Sequence, residues 1–80
     1  MKIIYKKQAE KVLDRMDVTT NRRVKDAIEK LPEGDVRRII GRPEQYRLRV
    51  GDWRIAFIFI NKETIAVEYI SSRGNIYKRV

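Results

Sequence analysis

The residues best equipped for chemistry in this chain are arginines, and three of them crowd into the stretch Tyr46 to Phe59, YRLRVGDWRIAFIF. Tyr46-Arg47-Leu48-Arg49-Val50 alternates apolar with cationic side chains, the period of a strand that buries one face and shows the other to water. Trp53 to Phe59 supplies a second run of aromatic and β-branched residues. Gly51-Asp52 between them suits a two-residue type II′ hairpin turn, whose first position needs a positive φ that glycine reaches without a clash. If that turn sets Val50 opposite Trp53, then Arg49 lies opposite Arg54 and Arg47 opposite Ala56, all on one face. Tyr46, Leu48, Val50, Trp53, Ile55, Phe57 and Phe59 share the other. Like charges directly across two strands cost a few tenths to about 1 kcal/mol, and folding alone gives no reason to accept that. Guanidinium groups gathered this way bind oxyanions through planar forks, so the face reads as an anion platform with RNA the first candidate ligand. The plainer reading is that the arginine stems lie along apolar surface with their heads in water.

Composition points the same way. The chain has 80 residues, 42% hydrophobic and 38% charged, with a formal net charge of +8 and an isoelectric point near 10.1. That length fits one domain, residues 1–80, close to the lower limit for a self-sufficient core. So large a positive excess on so small a body attracts polyanions: nucleic acid, an anionic membrane or an acidic protein. There is no cysteine and no histidine, which removes disulfides, thiolate nucleophiles, zinc fingers, the usual general base and the commonest metal ligand. Catalysis, if present, would run on Arg, Lys, Tyr, Asp, Glu, Ser or Thr, and no cofactor is expected. No apolar run approaches the roughly 20 residues of a membrane span, and the N-terminus does not read as a secretory signal. The expectation is a soluble cytoplasmic protein that does not act on membranes.

The elements that would position the arginines follow from periodicity. Lys2 to Tyr5 reads as a short first strand. Ala9, Val12, Leu13 and Met16 recur at helical spacing, as do Val24, Ala27, Ile28 and Leu31, with Thr19 and Thr20 as candidate N-caps and Pro32 as a stop. Two short amphipathic helices so close in sequence should form an antiparallel pair whose apolar stripes cover the apolar face of the hairpin. Val36 to Ile40 reads as a lead-in of undetermined structure before Gly41-Arg42-Pro43. Asn61-Lys62-Glu63 turns the chain into a last strand, Thr64 to Ser71. A three-residue turn there would pair Ile60 with Thr64, Ala56 with Glu68 and Arg54 with Ile70. Ile65, Val67 and Tyr69 would then extend the core, and Glu68 would lie on the charged face, diagonal to Arg54. The order is β-α-α-β-β-β, an α+β fold with an antiparallel sheet meander covered on one face by two helices.

Two motifs carry a resemblance that spans essentially the whole chain. Gly41 to Arg54 is similar to the recurring G…YRLRVGDYRV segment of the RelE/ParE superfamily of type II toxin-antitoxin toxins. Ile70-Ser71-Ser72-Arg73-Gly74-Asn75-Ile76-Tyr77 is similar to that family's I-x-x-R-x-x-x-Y ending. The resemblance implies a RelE-like fold. For the RelE-like branch it implies a ribosome-dependent, metal-independent mRNA endonuclease that inhibits translation, with the ribosome, mRNA and a cognate acidic antitoxin as partners. It also admits a ParE-like toxin that acts on DNA gyrase; a non-catalytic RNA-binding module is the third possibility.

By the same resemblance Arg49, Arg54, Arg73 and Tyr77 are the catalytic set and Arg47 binds RNA, with arginine at two positions where the best-known RelE-type site has lysine. Attack of a 2′-hydroxyl on the adjacent phosphate needs a proton acceptor, stabilisation of added charge on phosphorus and a donor for the leaving oxygen. Arginine serves the second need well and the first poorly, since its pKa lies above about 12. The base therefore stays open among Tyr77, Glu68 and partial base character at Arg49. The favoured assignment has Tyr77 positioning the 2′-hydroxyl, Arg54 and Arg73 holding the scissile phosphate, and Arg49 assisting proton transfer. Glu68 has a simpler role as ion-pair partner, Tyr77 as a rim tyrosine, and Trp53 belongs by parity to the core. Lys6, Lys7, Arg22 and Arg23 read as solvated charges that add a diffuse attraction to RNA.

Overall fold

The structure, a computed structural model, describes residues 1–72. The chain runs β1 (Lys2–Tyr5), α1 (Lys7–Asp14), α2 (Val18–Glu29), β2 (Val36–Ile39), β3 (Arg42–Val50), β4 (Trp53–Asn61) and β5 (Thr64–Ser72). One five-stranded sheet has the order β1-β5-β4-β3-β2. The run from β2 to β5 is an antiparallel meander, and β1 adds itself parallel to β5, Ile3 beside Ile65. The α+β class and the two covering helices are as expected. The lead-in Val36–Ile39 is an additional strand, paired with β3 from Val36↔Leu48 to Ile39↔Arg42. Two arginines in a four-residue segment leave too little alternation to announce a strand, so pairing to β3 decides it.

The helices form where their apolar spacing places them, but each ends two residues before its last expected apolar residue, α1 at Asp14 ahead of Met16 and α2 at Glu29 ahead of Leu31. Ala9, Leu13, Val24, Ile28 and Leu31 join Leu48, Ile55, Phe57, Ile65, Val67 and Ile70 in one buried cluster, with Val12, Met16, Ala27 and Trp53 packed against it. Phe57, at the centre of β4, is wholly buried; truncation of such a residue to alanine costs about 3–5 kcal/mol, a large share of the stability of a domain this small. Two side chains stitch helix to helix and helix to sheet. Asn21 donates to the Leu13 carbonyl at 2.8 Å. Gln8 takes both backbone groups of Ile70, accepting from its N–H at 3.0 Å and donating to its carbonyl at 3.3 Å. Because β1 pairs with β5 only as far as Val67, Gln8 satisfies backbone groups beyond the reach of β1.

The cap of α2 differs from expectation. Helical geometry starts at Val18, and Asp17, in extended conformation, accepts from the Thr20 N–H at 3.1 Å. Thr20 is thus the donor at the third helical position, and the carboxylate preceding the helix takes the cap that Thr19 or Thr20 was expected to supply. Hydrogen bonds from Thr20, through its side chain and then its backbone, hold the Asp17 carboxyl below the usual aspartate range. A carboxyl lowered by folding adds stability above its unfolded pKa and loses it as pH falls through the folded value. Asp17→Ala should therefore lower the melting temperature at pH 7. The gap to wild type should close as pH drops below about 4, read by thermal circular dichroism.

Candidate functional site

The β3–β4 hairpin positions the arginines as its sequence dictates. Gly51 has φ +59°, and the ladder runs Val50↔Trp53, Arg49↔Arg54, Leu48↔Ile55, Arg47↔Ala56 and Tyr46↔Phe57. Leu48, Ile55 and Phe57 face the helices. Arg47, Arg49 and Arg54 share the opposite face with Ala56, Ile39 and Tyr69, the last three forming a small apolar cluster of their own. The like-charge pair Arg49–Arg54 is therefore built into the register.

The three arginines sit in different environments. Arg49 is exposed, its backbone N–H held by the Asp35 carbonyl at 3.0 Å. Arg54 folds toward the turn, Nη1 donating to the Gly51 carbonyl at 3.2 Å and the Trp53 carbonyl at 3.4 Å. Arg47 is largely buried, its side chain 11% exposed, with Asp35 3.5 Å from Nη2. Its Nε is buried and has no hydrogen-bond partner among the described residues. Parity along β3 places Arg47 on the correct face, but the burial arises from β2 alongside, information that alternation does not contain.

The far side of the site departs from the expected register. In the middle of β4 and β5 it holds, with Phe57↔Val67, Ile58↔Ala66 and Phe59↔Ile65. At both ends it slips by one residue. Asn61 rather than Ile60 faces Thr64, because the Asn61 side chain accepts from the Glu63 N–H at 2.8 Å and tightens the turn. Beyond Phe57 the pairing shifts, giving Ala56↔Tyr69, Ile55↔Ile70 and Arg54↔Ser71. Glu68 is thus the extra residue of a β-bulge. The bulge turns Tyr69 out of the expected core position onto the basic face and sends Ile70 into the core in its place. Arg54 faces Ser71, not Ile70. Glu68 is engaged elsewhere, accepting from Gln45 Nε2 at 2.7 Å and lying 3.7 Å from Lys6 Nζ.

Arg23, read from sequence as a solvated charge, lies close to the hairpin turn. A Cβ at Gly51 would run into its guanidinium. Arg23 and Arg49 line an open cavity of about 750 Å³ between α2 and β3, together with Asp26, Glu33 and Asp35. Only the three-dimensional approach of α2 to the turn brings Arg23 there. Arg73 and Tyr77 lie outside the described residues. Among the described residues no three His, Cys, Asp or Glu side chains gather as metal ligands, and no helix is long and apolar enough to cross a membrane.

Comparison with known proteins decides the family. Residues 3–77 match the model of the ParE toxin of type II toxin-antitoxin system, parDE. The chain belongs to this family. Among solved structures, the toxin is similar to a chain of the RelB-RelE antitoxin-toxin complex from Methanococcus jannaschii, with TM-score 0.73 and 27% identity over 94% of this chain and 95% of that one. It also shares its fold with a chain of the intact E. coli RelBE toxin-antitoxin complex, with TM-score 0.68, 12% identity and coverage of 89% and 94%. The RelBE2 complex from Mycobacterium tuberculosis gives TM-score 0.67 and 15% identity over 90% and 96%. No curated protein matches the sequence. The toxin thus belongs to the RelE/ParE superfamily, and its likeness to the Methanococcus jannaschii chain favours the RelE-like branch.

The hairpin turn is the point on which the site geometry can be probed without replacing an arginine. A residue with a Cβ at a left-handed position costs about 1–2 kcal/mol, less for asparagine. Gly51→Ala should lower stability to urea by about that amount, and Gly51→Asn by less, since at both the flexible Arg23 head can move aside.

Proposed function

We propose that this toxin is a ribosome-dependent, metal-independent mRNA endonuclease that inhibits translation by promoting attack of a 2′-hydroxyl on the neighbouring phosphate. The observation that carries the reading is the cross-strand pair Arg49–Arg54, set against folding stability on a face with Arg47 beside it. Preorganised guanidinium groups stabilise the charge that builds on phosphorus in the transition state, and electrostatic stabilisation of this kind usually contributes more to rate than any other single effect. In this reading Arg54 and Arg73 hold the scissile phosphate, Arg49 assists proton transfer, Tyr77 positions the 2′-hydroxyl, and Arg47 binds the RNA chain. Glu68 is set aside as general base because Gln45 and Lys6 already occupy its carboxylate. The ribosome supplies the mRNA, and the reaction takes place in the cytoplasm.

The same charge calls for a restraining partner. The three similar structures are toxin–antitoxin complexes, and a net charge of +8 favours an acidic antitoxin segment that neutralises the face when bound.

Induction of wild type, Arg54→Ala and Arg73→Ala during growth, with mapping of new mRNA 5′ ends, tests the proposal. Wild type should cut translated mRNA, and each variant should cut about 10²–10³-fold less while keeping its circular dichroism spectrum. Intact mRNA with accumulating DNA breaks would replace this reading with gyrase poisoning.

A further inference from the structure

A second group of arginines lies away from the hairpin turn. Arg37 of β2 stands directly across from Arg47 of β3, another like-charge cross-strand pair. These two, with Arg38, Arg42, Ile39 and Ile40, line a cavity of about 340 Å³ that no carboxylate among the described residues lines. Asp35, half exposed, reaches Arg47 only through Nη2 at 3.5 Å, and the buried Arg47 Nε is left without a partner among the described residues. A buried guanidinium N–H with no acceptor is costly, and nearly all such groups are satisfied. Arg38 is committed elsewhere, its guanidinium 5.5 Å above the Tyr46 ring and bonded to the Tyr46 hydroxyl at 3.2 Å. Among the described residues Arg42 is tied only to the neutral Gln45 Oε1 at 3.3 Å.

We propose that Arg37, Arg42 and Arg47 form a phosphate subsite for single-stranded RNA on the β2–β3 hairpin, separate from the Arg49–Arg54 pair. The missing acceptor at Arg47 Nε is supplied by a phosphate oxygen, and the same phosphate relieves the repulsion between Arg37 and Arg47. An RNA phosphate fits because the cavity is small, cationic and partly apolar at Ile39 and Ile40, which can take the edge of a sugar or base. Arg47 and Arg49 are two residues apart on one face, about 7 Å along the strand, so a chain held here leads directly to the turn. The identity of the ligand as RNA rests on the proposed nuclease function; the anion site stands on its own geometry.

The test is titration of the full-length protein, observed at arginine Nε–Hε resonances, first with inorganic phosphate and then with a 2′-O-methyl RNA hexanucleotide that cannot be cleaved. Binding is thereby read independently of catalysis. Both ligands should shift the Arg47 Nε–Hε signal saturably, and chloride at equal ionic strength should not. Arg37→Gln, at an exposed position, and Arg42→Gln, at a half-buried one, should each weaken RNA binding about tenfold and reduce the slope of log K against log salt by about 0.7. An unmoved Arg47 signal with either ligand overturns the subsite, as does wild-type affinity and salt slope in both variants. If the mapped mRNA stays intact while these shifts and losses occur, the subsite stands and the nuclease reading fails.

Discussion

The site depends on one constraint, the register set where the chain reverses at Gly51. A positive φ at that residue makes Val50 and Trp53 partners, and every later pairing of β3 with β4 follows from it. A slip of one residue would carry Arg47 and Arg49 into the helix-covered face and leave Leu48 and Val50 in water. The apolar cluster of Leu48, Ile55 and Phe57 beneath the helices forbids that slip, so core packing and the basic face are enforced by the same ladder. This is how a small domain aims charged side chains accurately. They ride on strands whose opposite faces cannot move without exposing the core.

The arrangement is held against local electrostatics. Arg49 faces Arg54 and Arg37 faces Arg47, and Arg47 carries a buried N–H that nothing described satisfies. Each is a modest cost, but the reserve of an 80-residue fold is only several kcal/mol. The β5 bulge adds to the design. By looping Glu68 out toward Gln45 and Lys6, it keeps a carboxylate from sitting beside Arg54 and quenching it. Tyr69 occupies that place instead, opposite Ala56. A face assembled this way is complementary to an external anion and unsatisfied without one.

Much of this was legible in the sequence because the signals are local. The alternation before Gly51-Asp52 gave the hairpin, its register and the faces of Arg47, Arg49 and Arg54; the helical spacing gave the residues that α1 and α2 bury. What escaped depends on partners distant in sequence. Gln8 binds the backbone of Ile70, 62 residues away, and nothing in its neighbourhood hints at that. The bulge at Glu68 reflects competition between two strands for register, with no glycine to mark it. The burial of Arg47 requires β2, whose own strand character was hidden by Arg37 and Arg38. The Asp17 cap is different: an acidic residue just before a helical pattern is a local signal that competed with two threonines and prevailed.

The central claim is that the basic face is kept at the expense of stability for an anion to occupy. A double-mutant cycle of Arg49→Gln and Arg54→Gln by urea unfolding in low salt tests it most directly, because the coupling energy cancels what either side chain does alone, including the bonds of Arg54 to the turn carbonyls. The expected coupling is unfavourable by a few tenths to about 1 kcal/mol, reduced in high salt and abolished by saturating 2′-O-methyl RNA. A coupling that is zero or favourable in the free protein would contradict the claim.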